Sequence, residues 1–110
     1  MIYHICKEAE WQNCITLDIY YPSRYEIDKF IHCSTSKQIE KIANTHYKNE
    51  SIIYLLIIDD TLEKTHIKYE NLDGGKELFP HIYRKLPKSS ISSVQKISKT
   101  ANQQFQIINK

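Results

Sequence analysis

The strongest apolar run in the chain is Ile52-Ile53-Tyr54-Leu55-Leu56-Ile57-Ile58. It is rich in β-branched and aliphatic residues on both faces of a period-two pattern, which predicts a central strand buried on both sides. Asp59-Asp60 ends it. Residues 2–6 predict a short first strand. Residues 7–15 predict a helix, because Trp11, Cys14 and Ile15 fall at i, i+3 and i+4. Around Pro22, residues 20–25 predict an extended or looped passage. Residues 30–33 predict a second short strand. Thr35 and Gln38 then have capping-box spacing, and Ile39, Ile42, Ala43 and His46 or Tyr47 recur at helical period. A second helix is therefore expected to run to about Asn49.

The second half of the chain is more punctuated. Residues 66–70 alternate and predict a strand, and residues 71–76, with Asp-Gly-Gly, predict a loop. Residues 82–83 and 93–97 predict two further strands. Residues 99–110 predict a tail or terminal helix beyond one domain over residues 1–98. The fold class expected is α+β, a single domain with a mixed or antiparallel sheet and two main helices.

Composition fits that picture. A chain of 110 residues, 41% hydrophobic and 25% charged, can bury one core without staples. Cys6, Cys14 and Cys33 are odd in number and lack CxxC spacing, so no secreted disulfide framework is expected. The first residues carry no signal-peptide pattern. The longest apolar run is too short to span a bilayer, so no membrane association is expected and the cytoplasm is the expected location. A net charge of +2 does not by itself indicate a nucleic-acid binder. From Arg84 onward, however, the chain has Arg84, Lys85, Lys88, Lys96, Lys99 and Lys110 and no acid. That charge pattern reads as a solvated basic stretch, or as a surface for RNA or a protein partner.

Candidate chemistry gathers at Phe30-Ile31-His32-Cys33-Ser34 and Phe79-Pro80-His81-Ile82-Tyr83. In a strand His32 and Ser34 share a face, next to the start of a helix whose amides favour an anion. Phe79, His81 and Tyr83 likewise share a face, an aromatic wall with one imidazole that suits a planar ligand. Glu70, at a strand end, can supply a carboxylate, as can Glu77. Arg84, just past His81, can hold a phosphate. His4 is a third histidine on a strand, while His46 and His66 are weaker candidates. His4, His32, His81 and Cys33 carry metal-ligating atoms, yet none has the paired spacing of zinc motifs, so no metal ligands are assigned. Cys33 alternates away from His32 and is expected in the core.

Ile2-Tyr3-His4-Ile5, Trp11, the Phe-Ile-His-Cys-Ser element, Gln38 and Glu77-Leu78-Phe79-Pro80-His81-Ile82-Tyr83 resemble, in order and separation, the domain-of-unknown-function family 952. The resemblance runs from Ile2 to about Ile97. It implies a fold similar to the ADP-ribosyltransferase superfamily, which includes the RNA 2'-phosphotransferases. It further implies NAD or an ADP-ribose-like nucleotide as ligand, with His4 at the first strand position and His32 with Ser34 at the second. Two positions depart from the family pattern. Lys29 stands where a Gly usually precedes the Phe-Ile-His-Cys-Ser element, although the acid before it is kept as Asp28. Arg84-Lys85 stands where Gly-Pro tends to follow His-Ile-Tyr. The expected function is thus a His-centred nucleotide pocket, active or degenerate, built on His4, His32, Ser34, Glu70 and His81. Phe79, Tyr83 and Arg84 are expected to contact the ligand. The alternative is a non-catalytic module binding RNA or a protein through the basic stretch, and a lesser alternative is a His-based metal site.

Overall fold

The computed structural model describes residues 1–72 and 74–108. The expected loop over residues 71–76 contains Asp73, and the tail ends in Asn109-Lys110. These three positions lie outside the described residues.

The apolar run forms the strand Ile52–Ile58, as its composition requires. Elements are numbered along the chain: β1 (Ile2–Cys6), α1 (Glu8–Asn13), β2 (Ile19–Tyr20), α2 (Tyr25–Asp28), β3 (Ile31–His32), α3 (Ile39–His46), β4 (Ile52–Ile58), β5 (Ile67–Glu70), β6 (Phe79–Ile82), β7 (Leu86–Pro87) and β8 (Ile91–Ser98). β4 lies between β1 and β8 in a three-stranded antiparallel sheet. A second antiparallel sheet has the order β3-β6-β5, and β2 pairs with β7. The result is a single α+β domain with antiparallel sheets and few helices.

Strand alternation divides the interior in two. On one side of β1 and β4, Ile2, Cys6, Leu56 and Ile58 pack with Tyr20, Ile31, Ile82 and Leu86. On the other, Tyr3, Ile5, Ile53 and Leu55 pack under Ile39 and Ala43 of α3. A central strand apolar on both faces is what two cores need.

Several elements differ from the sequence-based expectation. α1 stops at Asn13 and the chain turns, so Cys14 is buried while Ile15 is half exposed. Residues 20–25 are not wholly looped, since β2 and the short α2 flank them. The pairing of residues 79–82 begins earlier than expected, at Phe79. Gln38 does reach back to the Thr35 amide, at 3.0 Å, but residues 36–38 form a turn and α3 begins at Ile39. Residues 100–108 contain no helix, and they do not float free. Phe105 and Ile107 are buried in the second core, and Asn44 of α3 clamps Phe105 through both its amide (2.7 Å) and its carbonyl (2.9 Å).

Among the described residues one isolated backbone bridge links the two three-stranded sheets. Tyr3 and Ser34 exchange backbone hydrogen bonds of 2.8 and 2.7 Å, an isolated antiparallel bridge between β1 and the chain just after β3. A cleft lies beside this bridge, lined by residues of β1, β3, β6 and α3.

Candidate functional site

The cleft encloses about 280 Å³. Tyr3 and Ile5 of β1, with Ile39, Ile42 and Tyr47 along α3, give it an apolar side. His32, Ser34, Glu70 and His81 give it a polar side, and Cys33, Phe79, Leu72 and His46 complete the described boundary. Among the described residues no lysine or arginine lines it.

His32 and His81 are brought together by register. They are direct cross-strand partners in the β3–β6 pair, and their ring centroids are 5.2 Å apart at 78°. Phe30 stacks on His81 at 4.6 Å and meets the edge of His32 at 4.6 Å. His81 is buried, whereas the His32 side chain is 59% exposed and reaches Asp28, 3.2 Å away. Lys29 explains how an acid four residues back comes alongside. It has φ 66°, the left-handed conformation that closes α2 and reverses the chain into β3. This is the position where the resembled family usually has Gly, and the backbone shows why Gly suits it.

Glu70 is diagonal to His81 across the β5–β6 pair. Its Oε1 accepts from His81 Nδ1 at 3.1 Å and from the Tyr83 hydroxyl. The Tyr83 hydrogen bond, then that of His81, hold the Glu70 carboxyl below its ordinary value, and the same contact pushes the Tyr83 phenol up to about 12. Among the cleft's polar atoms without a protein partner among the described residues are Glu70 Oε2, His81 Nε2 and Ser34 Oγ. No buried side-chain polar atom there lacks a partner, so each of the three keeps access to solvent.

The structure places the remaining candidates elsewhere. His4 lies on the other face of β1 from Tyr3 and Ile5 and does not line the cleft. Its Nδ1 donates to the His32 carbonyl at 2.6 Å and its Nε2 accepts from the Tyr20 hydroxyl at 2.8 Å. Burial lowers its pKa to about 4, so the ring is neutral. Tyr83 is not on the cavity wall and acts on Glu70 instead.

Arg84 also lies away from the cleft. It forms a two-pronged pair with fully buried Glu63, at 2.9 and 2.8 Å, and Ser90 donates to the same carboxylate at 2.5 Å. Burial pushes the Glu63 carboxyl up, but the Arg84 and Ser90 hydrogen bonds outweigh it and the pKa is lowered. Lys85 covers the Tyr21 ring at 4.3 Å, and Lys88 bonds the Cys14 carbonyl at 2.5 Å. The basic residues just after Tyr83 are thus engaged within the fold. Cys33 is buried, and burial pushes its thiol up, away from the reactive thiolate. Among the described residues no group of three or more His, Cys, Asp or Glu is placed to hold a metal, and no helix is long and apolar enough to cross a membrane.

His46, a weaker candidate from the sequence, borders the cleft, as does Tyr47, which the sequence did not single out for it. The signal was present, since Ile39, Ile42 and His46 form one helical stripe.

A strand-edge cleft with two facing imidazoles and an anchored carboxylate defines a small α+β domain with a ligand-sized site. Residues 5–94 match the family described as "Protein of unknown function (DUF952)", and the chain belongs to that family. It is similar to the crystal structure of protein CC0527 from Caulobacter crescentus, with 26% identity, a TM-score of 0.84 and coverage of 96% of this chain and 92% of that one. The solution NMR structure of CC0527 is similar at 26% identity and a TM-score of 0.82, covering 96% and 90% of the two chains. No curated protein matches the sequence.

Proposed function

We infer that the cleft binds the ribose-bearing end of NAD or of an ADP-ribose-like nucleotide, as an ADP-ribosyltransferase-like site. The observation that carries this reading is the convergence of His32, His81 and Glu70 on one cavity that also has an apolar side. A cavity of about 280 Å³ is at the lower end of ligand pockets, which run from roughly 300 to 1,000 Å³. It takes one ring or sugar and leaves the rest of a dinucleotide outside. The lack of lysine and arginine among the described lining residues agrees with this, since the phosphates would lie beyond the rim. Glu70 Oε2, His81 Nε2 and Ser34 Oγ would receive hydroxyl or amide groups. The apolar side would cover a flat ring.

Breaking the bond between nicotinamide and ribose builds positive charge on the sugar, and a carboxylate held in place would stabilise it. Glu70, kept ionised by Tyr83 and His81, suits that role. Calorimetric titration of the protein with ADP-ribose tests the reading. Saturable binding that weakens at least tenfold in His81→Ala supports it, and no heat with wild-type protein at millimolar ligand removes it. The alternative of RNA binding after Tyr83 gains no support from Arg84, Lys85 and Lys88, which have partners inside the fold.

A further inference from the structure

The two imidazoles of the cleft are each held by a carboxylate, through opposite ring nitrogens. His81 uses Nδ1 toward Glu70, and His32 uses Nε2 toward Asp28. We propose that Asp28, which lies outside the cavity lining, is a positioning residue that fixes the proton of His32 on Nε2 and so leaves Nδ1 as an acceptor for the ligand.

A carboxylate only accepts hydrogen bonds, so its contact requires a proton on Nε2 of His32. In the neutral ring Nδ1 then carries the lone pair. By the same rule Glu70 leaves His81 with an unprotonated Nε2. Neither of these nitrogens has a protein partner among the described residues. Two facing rings, 5.2 Å apart, thus present acceptor nitrogens, and a group seated against them must bring donors. Sugar hydroxyls and carboxamide N–H groups qualify, whereas a fully ionised phosphate does not. This selectivity rests on the reading of the cleft as a nucleotide site.

The local backbone is built to bring Asp28 there. The left-handed Lys29 turns the chain sharply, and the Lys29 amide is held on the Tyr25 carbonyl at 2.7 Å. The Asp28 side chain is only 16% exposed, and its two oxygens have separate partners, Oδ1 with Arg24 at 3.4 Å and Oδ2 with His32. The charged and titratable groups around the His32 ring, among the described residues, are Asp28 on α2, His81 on β6 and the neutral His4 on β1, with Arg24 and Glu70 behind them. Without Asp28, only the ring contacts to Phe30 and His81 would orient an imidazole this exposed.

The test is a long-range ¹H–¹⁵N spectrum of the histidine rings in the full chain, with the imidazoles neutral, for wild type, Asp28→Asn, Asp28→Glu and the surface control Glu26→Gln. Wild type and Glu26→Gln are expected to show His32 in the Nε2–H form. In Asp28→Asn the Arg24 guanidinium holds the carboxamide oxygen on its own side and turns the NH2 toward Nε2, so the Nδ1–H form becomes the major one, and Asp28→Glu returns the wild-type pattern. ADP-ribose affinity should fall about tenfold in Asp28→Asn, the loss of one directed hydrogen bond. Unchanged His32 ring signals in Asp28→Asn overturn the proposal even where ADP-ribose binds. An altered tautomer with unaltered ADP-ribose affinity overturns the positioning role. A tautomer switch in a protein whose wild type binds no ADP-ribose supports the assignment of Asp28 and overturns the ligand instead.

Discussion

The imidazole of His4 donates from Nδ1 to the main-chain carbonyl of His32 at 2.6 Å. The first histidine of the chain thus supports the segment that carries the second, from behind, and takes no part in the cavity surface. Its other nitrogen is occupied by Tyr20, so both polar atoms of a buried ring are satisfied.

That arrangement makes stability depend on pH. The folded protein keeps His4 neutral down to about 4, whereas the unfolded chain takes up the proton near 6.5. The unfolded state binds more protons in that window, so stability is fully present above about 6.5 and is lost as pH falls toward 4, by about 3 kcal/mol from this group. Denaturant unfolding across that range should show the slope, and His4→Gln should be less stable at neutral pH and largely lack it. A His4 ring that titrates near 6.5 in the folded protein would contradict this.

Lys29 makes a different prediction. A non-glycine residue held at φ 66° costs roughly 1–2 kcal/mol, while glycine there costs some entropy in the unfolded chain, roughly 0.4–1 kcal/mol. Lys29→Gly should therefore be at least as stable as wild type, by up to about 1 kcal/mol. Lys29→Val, β-branched at a left-handed position, should be clearly destabilised. Urea midpoints in the order glycine, lysine, valine would confirm the account, and the reverse order would refute it.

Arg84 is predicted to matter for stability and not for the ligand. Removing it leaves Glu63 charged, buried and held by Ser90 alone. Arg84→Ala should cost about 3–5 kcal/mol. Nucleotide affinity of the fraction that remains folded should stay within a factor of about two, because the pair lies outside the cleft. A stable Arg84→Ala protein that has lost affinity would place Arg84 back at the site.

Glu70 should control Tyr83. Glu70→Gln removes the carboxylate that holds the phenol up at about 12, and ultraviolet titration should then find Tyr83 closer to an ordinary tyrosine, about 10. No change in the tyrosine titration would mean that the two groups are not bonded in solution.

Much of the fold was legible in residue patterns. β4 announced itself by aliphatic residues on both faces, β1 by its position and α3 by its stripe. β2, α2 and β7 were not legible, because two-residue pairings and a single helical turn are fixed by tertiary contacts and leave no periodic trace. The docking of Phe105 and Ile107 was hidden in a Gln- and Asn-rich stretch. At the site, His32, Ser34, His81, Glu70 and Phe79 were identified as candidates, and the structure brings all five to one cavity. His4 could have been placed by alternation alone, since Tyr3 and Ile5 must face oppositely. The partnerships of Arg84 with Glu63 and of Asp28 with His32 could not. The first spans 21 positions and the second depends on a left-handed turn at a lysine.

The central claim is that the cleft between His32 and His81 receives the ribose-bearing end of a nucleotide. Its most direct test is amide chemical-shift mapping during titration of ¹⁵N-labelled protein with ADP-ribose. The account predicts that shifts concentrate at His32, Ser34, Glu70 and His81 and along the cleft side of α3. No shift at His32 or His81 by millimolar ligand, or shifts confined to Arg84, Lys85 and Lys88, would contradict it.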